Sequence, residues 1–98
     1  MAQPLPIPAP AQRDPQSVNL ASIWIAEQGL HCNLTVGVYA NHPSVDEETA
    51  WGRILADTVR QVASAIAAHT ATQEPRENII NRIWTAFHEE LSKPGSAD

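Results

Sequence analysis

The stretch that decides the fold is LASIWIAEQGLHCNLTV, residues 20–36. Its second half, LHCNLTV, alternates apolar and polar residues with a period of two, which is the pattern of a half-buried strand. Its first half is apolar on both faces, and Gln28-Gly29 between the halves is typical of a tight turn. The stretch therefore predicts an antiparallel β-hairpin whose two-residue loop sets Ile25 opposite Cys32.

The predicted register sorts the hairpin side chains onto two faces, because neighbours on a strand point to opposite sides of a sheet. One face is apolar and consists of Ala21, Ile23, Ile25, Cys32, Leu34 and Val36. The other carries Leu20, Ser22, Trp24 and Ala26 against His31, Asn33 and Thr35. His31 and Cys32 therefore cannot face the same ligand. We expect Cys32 to be a buried apolar residue and His31 a polar residue on the open face. A reactive thiol and a functional histidine are the alternatives.

Two amphipathic helices follow the hairpin. Ser44 with Glu47 forms the pattern of a capping box and predicts a helix from Val45 to about His69. Its apolar stripe contains Trp51, Ile54, Leu55, Thr58, Val59, Val62, Ala63 and Ile66, and its solvated side contains Arg53, Asp57, Arg60, Gln61 and Ser64. Gly52 within this helix indicates the close approach of another segment.

The second helix is predicted to begin at Glu74-Pro75 and to end near Lys93, before Pro94-Gly95. Its apolar face contains Ile79, Ile80, Ile83, Trp84, Phe87 and Leu91, and we expect the Trp84 ring to be buried. The predicted fold is α+β in ββαα order, with the hairpin packed against two antiparallel helices. These helices and the hairpin form one domain, residues 16–93.

The chain ends are predicted to lie outside this domain. Residues 1–15 read as a proline-rich tail or linker, because prolines at positions 4, 6, 8 and 10 remove alternate backbone donors and oppose a regular helix. The alternative is an N-terminal edge strand of the sheet, with the proline side facing outward. Residues 94–98 are predicted to form a disordered tail.

Composition excludes several classes of function. The net charge is −5, and the six Lys and Arg residues are scattered, so nucleic acid is not an expected partner. The single cysteine excludes an internal disulfide and four-cysteine zinc sites, and the four histidines lack paired ligand spacing. We predict no catalytic residues, no metal ligands and no cofactor. Without a signal-peptide pattern or a membrane-spanning segment, the expected location is the cytoplasm and no membrane contact is expected.

Three segments carry a resemblance to a known family: LPIP near the start, IWIAEQGLHCNL in the hairpin and AWGRILADTVRQVA in the long helix. Together they resemble the small bacterial proteins grouped as domain of unknown function 5076, over roughly residues 5–91. The most specific matches are Trp24, Gly29-Leu30-His31, Leu34, Trp51-Gly52 and Leu55-Ala56-Asp57. The chain departs from the family in its longer loop VYANHPSVDEET and in Cys32, where valine is more usual. The resemblance implies no activity.

The sequence favours a non-catalytic structural or regulatory interaction module, acting as a homodimer or as a subunit with an unidentified protein partner. Trp24, His31 and Leu20 are the candidate interface residues, since they share the open face of the hairpin. A small-ligand-binding domain is the alternative, with His31 and Asp57 as a polar site if a cleft brings them together. A small enzyme is the third hypothesis.

Overall fold

The computed structural model describes residues 5–94 and divides the chain into two compact units, Met1–His42 and Pro43–Asp98. The elements in chain order are α1 (Ala9–Arg13), β1 (Ala21–Ala26), β2 (Gly29–Leu34), α2 (Glu47–Thr70) and α3 (Arg76–Ser92). A two-stranded antiparallel hairpin followed by two long helices confirms the predicted α+β class and the ββαα order. The packing of the hairpin on the helices and the single-domain boundaries stay predictions.

The hairpin turns at Glu27 and Gln28, one residue earlier than the sequence pattern predicts. Both residues have positive φ, 51° and 63°, which is the condition for a type I′ turn between twisted strands. Ile25 therefore lies opposite Leu30, and the predicted pairing of Ile25 with Cys32 is wrong. Because the register differs by an even number of residues, every side chain stays on its predicted face.

Gly29 opens β2 instead of forming part of the turn. A Cβ placed on Gly29 would lie 3.5 Å from Nε2 of His31, whose ring folds over the start of the strand. The same ring nitrogen lies 3.0 Å from the carbonyl oxygen of Ala26. Since a carbonyl oxygen only accepts, Nε2 carries the proton of this hydrogen bond.

The N-terminal segment contains a short helix, α1, where the sequence predicts none. Pro8 is its N-cap and Pro10 lies in its first turn, where a missing backbone donor costs no helical hydrogen bond. The side chains of Gln12 and Ser17 donate to the carbonyl oxygens of Ile7 and Ala11, at 2.8 and 2.9 Å. Within residues 5–94 the sheet has two strands, so the alternative edge strand is absent. Residues 1–4, and all of the C-terminal tail except Pro94, lie outside the described residues.

Helix α2 begins at Glu47 and is capped by Asp46, not by Ser44. The Asp46 carboxylate accepts a hydrogen bond from the backbone N–H of Thr49 at 2.7 Å. The Glu47 carboxylate accepts from the indole Nε1 of Trp51 at 2.8 Å, one turn ahead, so it reaches forward along the helix. Helix α2 therefore begins two residues later than the Ser44 pattern predicts, with Asp46 as its N-cap.

Helices α2 and α3 pack together beside the loop that joins them. Ala63 on α2 and Ile79 on α3 are fully buried. Ala71 ends α2 in the left-handed conformation, and Arg76 donates to the Ser64 hydroxyl at 3.1 Å. Arg82 contacts the Glu74 carboxylate at 2.9 Å, and this hydrogen bond lowers the pKa of Glu74. Across the described residues, no helix is both long and apolar enough to cross a membrane.

The first prediction concerns the left-handed turn. Gln28→Gly should stabilise the hairpin by about 1 kcal/mol, because glycine adopts positive φ without the clash that a Cβ introduces. The measurement is amide exchange at Thr35, whose N–H donates to the Leu20 carbonyl at the far end of the strands, 2.9 Å away. Exchange should slow in Gln28→Gly. Gln16→Gly is the matched control because Gln16 has no positive φ, and faster exchange in Gln28→Gly would contradict the assigned turn.

The second prediction concerns the cap of α2. Hydrogen bonds from Thr49 hold the pKa of Asp46 below its ordinary value of 3.8. A lowered pKa in the folded state means that the cap stabilises α2 above that value and that this contribution is lost as the pH falls through the folded-state pKa. Asp46→Asn keeps a capping oxygen without the charge, so its helix signal in circular dichroism should lose this part of the acid transition. At neutral pH, Asp46→Ala should melt at a lower temperature than Asp46→Asn. Identical acid profiles for wild type and Asp46→Asn would refute the role of the Asp46 charge.

Candidate interaction surfaces

The Trp24 face of the hairpin gathers the interface candidates predicted from the sequence. Trp24 lies directly opposite His31 in the register. Half of the Trp24 surface is exposed. Leu20 lies at the end of this face, where its carbonyl oxygen accepts from the N–H of Thr35 at 2.9 Å. The three residues therefore share one face, and their role in an interface stays a prediction.

The opposite face of the hairpin is apolar and exposed. It consists of three opposed pairs, Ala21 with Leu34, Ile23 with Cys32 and Ile25 with Leu30. Ile25 is 85% exposed and Leu30 67% exposed. Cys32 is an exposed free thiol, so its predicted burial is wrong for this chain. A contiguous exposed apolar face of this kind is typical of a contact surface.

A groove of about 480 Å³ runs between α2 and α3. It is lined by Gly52, Leu55, Ala56, Val59, Arg60, Ile80, Asn81, Ile83, Trp84 and Phe87. A Cβ placed on Gly52 would meet nothing within 4 Å, so the predicted close approach to this glycine does not occur among residues 5–94. A glycine inside a helix is unfavourable, and packing among these residues does not account for this one.

The aromatic side of the groove comes from α3. The rings of Trp84 and Phe87 are stacked with centroids 6.2 Å apart, and the centroid of the His88 ring lies 5.4 Å from that of Trp84. Trp84 is nonetheless 57% exposed, so the prediction that its ring is buried is wrong. Trp84 lines the open groove between α2 and α3, so part of its surface faces solvent.

The two polar candidates lie in different units and make local contacts. Asp57 accepts a hydrogen bond from Gln61 at 2.8 Å and contacts Arg60 at 3.4 Å, and its side chain is 60% exposed. His31 binds the Ala26 carbonyl, as described above. Neither residue lines the groove, and a polar site formed by the two stays a prediction. In the described part of the chain, no group of three acidic, histidine or cysteine side chains could hold a metal ion.

The sequence pattern missed three lining residues of the groove, Ala56, Arg60 and Asn81. Arg60 was predicted on the solvated side of α2, and it lies at the border of the groove, where its pair with Asp57 is exposed. The available signal was the spacing of Gly52, Ala56 and Arg60, which lie one turn apart on α2. Arg60 and Asn81 are the polar lining residues, so the groove lacks the converging polar groups of a specific small-molecule site.

A protein-family model described as "Domain of unknown function (DUF5076)" matches residues 4–95 of this chain. The chain belongs to the DUF5076 family. The resemblance carried by the hairpin and by the Trp51 helix is thereby confirmed. The comparison with curated proteins found no match for this DUF5076 domain.

Solved structures share the fold of the DUF5076 domain. One is described as "Structure of a putative pyruvate dehydrogenase from the photosynthetic bacterium Rhodopseudomonas palustrus CGA009". It matches with a TM-score of 0.69 and 20% sequence identity, over 100% of this chain and 93% of the other. At this identity the likeness shows the fold alone, and the activity in that description stays with the other protein.

The third prediction concerns Gly52. Because nothing lies within 4 Å of the added Cβ, Gly52→Ala should stabilise the single chain, by up to about 1 kcal/mol. Urea unfolding, followed by circular dichroism at a protein concentration too low for self-association, measures the effect. Ala65→Gly, on an exposed position of the same helix, should lower stability by a similar amount. A loss of stability in Gly52→Ala would mean that another segment of the chain lies against position 52.

Proposed function

We propose that this protein is a non-catalytic structural or regulatory interaction module that acts as a homodimer or as a subunit of a larger assembly. One observation carries the proposal: the hairpin has large apolar side chains exposed on both faces, including Ile25 at 85% and Trp24 at 50%. Burying an Ile, Leu or aromatic side chain is favourable by roughly 1.5–3 kcal/mol. Contact with a second molecule would bury these side chains.

The hairpin favours a second copy of the chain as that molecule. A two-stranded sheet leaves unpaired donors and acceptors along its outer edges. Pairing of the same edge in two copies across a two-fold axis would produce a four-stranded antiparallel sheet, which is a self-complementary contact. The Trp24 face, with His31 and Leu20, would then extend across both copies, and the tryptophans would anchor the interface.

Asp46, Glu74 and Arg82 have shifted pKa values, and each shift has a hydrogen bond inside or beside a helix end as its main cause. These bonds have structural roles in capping α2 and anchoring the loop before α3. Catalytic acids and bases more often combine burial with a shifted pKa. The proposed location is the cytoplasm, where an exposed thiol such as Cys32 stays reduced.

The fourth prediction tests self-association. Light scattering on a size-exclusion column at tens of micromolar should give twice the chain mass of 10.7 kDa. Trp24→Ala should raise the dissociation constant roughly tenfold or more, because a central tryptophan contributes disproportionately to an interface. Leu91→Ala is the control, since Leu91 is 71% exposed on α3 and lines neither the hairpin nor the groove.

Two outcomes would contradict this proposal in different ways. A mass of 10.7 kDa for the wild type over the whole concentration range would exclude the homodimer. A doubled mass with equal dissociation constants for wild type and Trp24→Ala would keep the homodimer and remove the Trp24 face from it.

A further inference from the structure

We infer that the groove face of α2 is a second docking surface for another copy of this chain, held by two reciprocal contacts between Glu48 of one copy and Arg60 of the other. The inference rests on the proposed homodimer and adds a second contact between the same two copies. The surface consists of the α2 ridge, defined as Glu48, Gly52, Ala56 and Arg60, and of the aromatic side of the groove, Trp84 and Phe87.

The α2 ridge follows a single row of the helix surface. Its residues are spaced four apart, and such rows are the ridges that interdigitate in the commonest class of helix packing. The ridge has an acidic residue at one end, two small residues at its centre and a basic residue at the other end. Glu48 and Arg60 are separated by about 18 Å along the axis, at 1.5 Å per residue.

This order of charges is self-complementary only when the two helices run antiparallel. A two-fold axis through the middle of the ridge places Glu48 of one copy beside Arg60 of the other, and repeats the contact with the copies exchanged. The same operation places Gly52 beside Ala56 of the second copy. With small residues at the crossing, the two backbones can approach closely, and this accounts for the open space over Gly52.

Both charged residues are available for such a contact. Glu48 is exposed in the first turn of α2 and forms no ion pair within residues 5–94. Arg60 contacts Asp57 at 3.4 Å, but both side chains are more than half exposed, and exposed pairs of this kind contribute little. Arg60 can therefore turn towards a second copy at little cost.

The α3 side supplies the apolar part of the surface. Trp84 is 57% exposed and Phe87 45% exposed, beside Gly52 and Ala56 in the groove lining. Two aromatic side chains of this exposure leave on the order of 200 Å² of surface for contact. An apolar, aromatic centre with charges at its border is the usual composition of a protein interface. Two copies docked in this way would bring together four helices.

Charge reversal tests the contact by equilibrium sedimentation of the full chain. Glu48→Arg alone sets arginine against Arg60, and Arg60→Glu alone sets glutamate against Glu48, twice in each symmetric pair. Each single variant should raise the dissociation constant about tenfold or more, since like charges at an interface are strongly unfavourable. An equimolar mixture of the two variants should associate as tightly as the wild type, within about threefold. The double variant E48R/R60E should do the same, because both restore opposite charges at both contacts.

The matched control is Glu77→Arg, which reverses a charge at the equivalent second position of α3 and so has the same effect on a helix terminus. It should leave the dissociation constant within about twofold of the wild type. Single reversals that do no more than Glu77→Arg, or a mixture that fails to restore association, would overturn the α2 contact while leaving the homodimer intact. A wild-type chain that sediments as a single copy would overturn the homodimer itself, and the α2 contact with it.

Discussion

The left-handed turn at Glu27 and Gln28 determines which side of the hairpin each strand residue occupies. Side chains alternate along a strand. A loop longer or shorter by one residue would therefore exchange the two faces of one strand relative to the other. With the turn in place, Trp24 lies opposite His31, and the two isoleucines of β1, Ile23 and Ile25, lie opposite Cys32 and Leu30. The polar contact of His31 with Ala26 and the apolar opposite face both follow from this register.

The helices bury few of their apolar side chains, so local interactions are important for keeping each helix formed. The buried apolar residues of the described chain are Ala50, Ala63 and Ile79, two of which are alanines. Asp46 caps α2, and Arg82 of α3 forms an ion pair with Glu74 in the loop before α3. Helices held in this way keep their shape while most of each apolar stripe stays available. Apolar side chains in the groove and on the hairpin faces are exposed, and burying them would be favourable.

The sequence predicts the type and order of the elements because periodicity records which side chains share a face. It does not locate the turn, since glycine is the usual carrier of positive φ and here two non-glycine residues adopt it. It does not choose between Ser44 and Asp46 as caps, because both offer a suitable oxygen. An amphipathic stripe also does not reveal whether another segment covers it. The pattern therefore predicts Trp84 in a core and Arg60 in solvent, whereas Trp84 is half exposed and Arg60 lines the groove. The α2–α3 groove depends on how closely the two helices pack at each point along their length, and periodicity contains no information about this.

The two strands contain no lysine, arginine, aspartate or glutamate, and this has a consequence for the protein in a living cell. Charged residues on edge strands are the usual protection against pairing with foreign chains. A newly made copy of this protein would lack that protection until its hairpin is covered. Chaperones and proteases act on chains with exposed apolar strands, so single copies of the proposed homodimer would be removed faster than paired copies. The lifetime of the protein in the cell would then rise with its concentration.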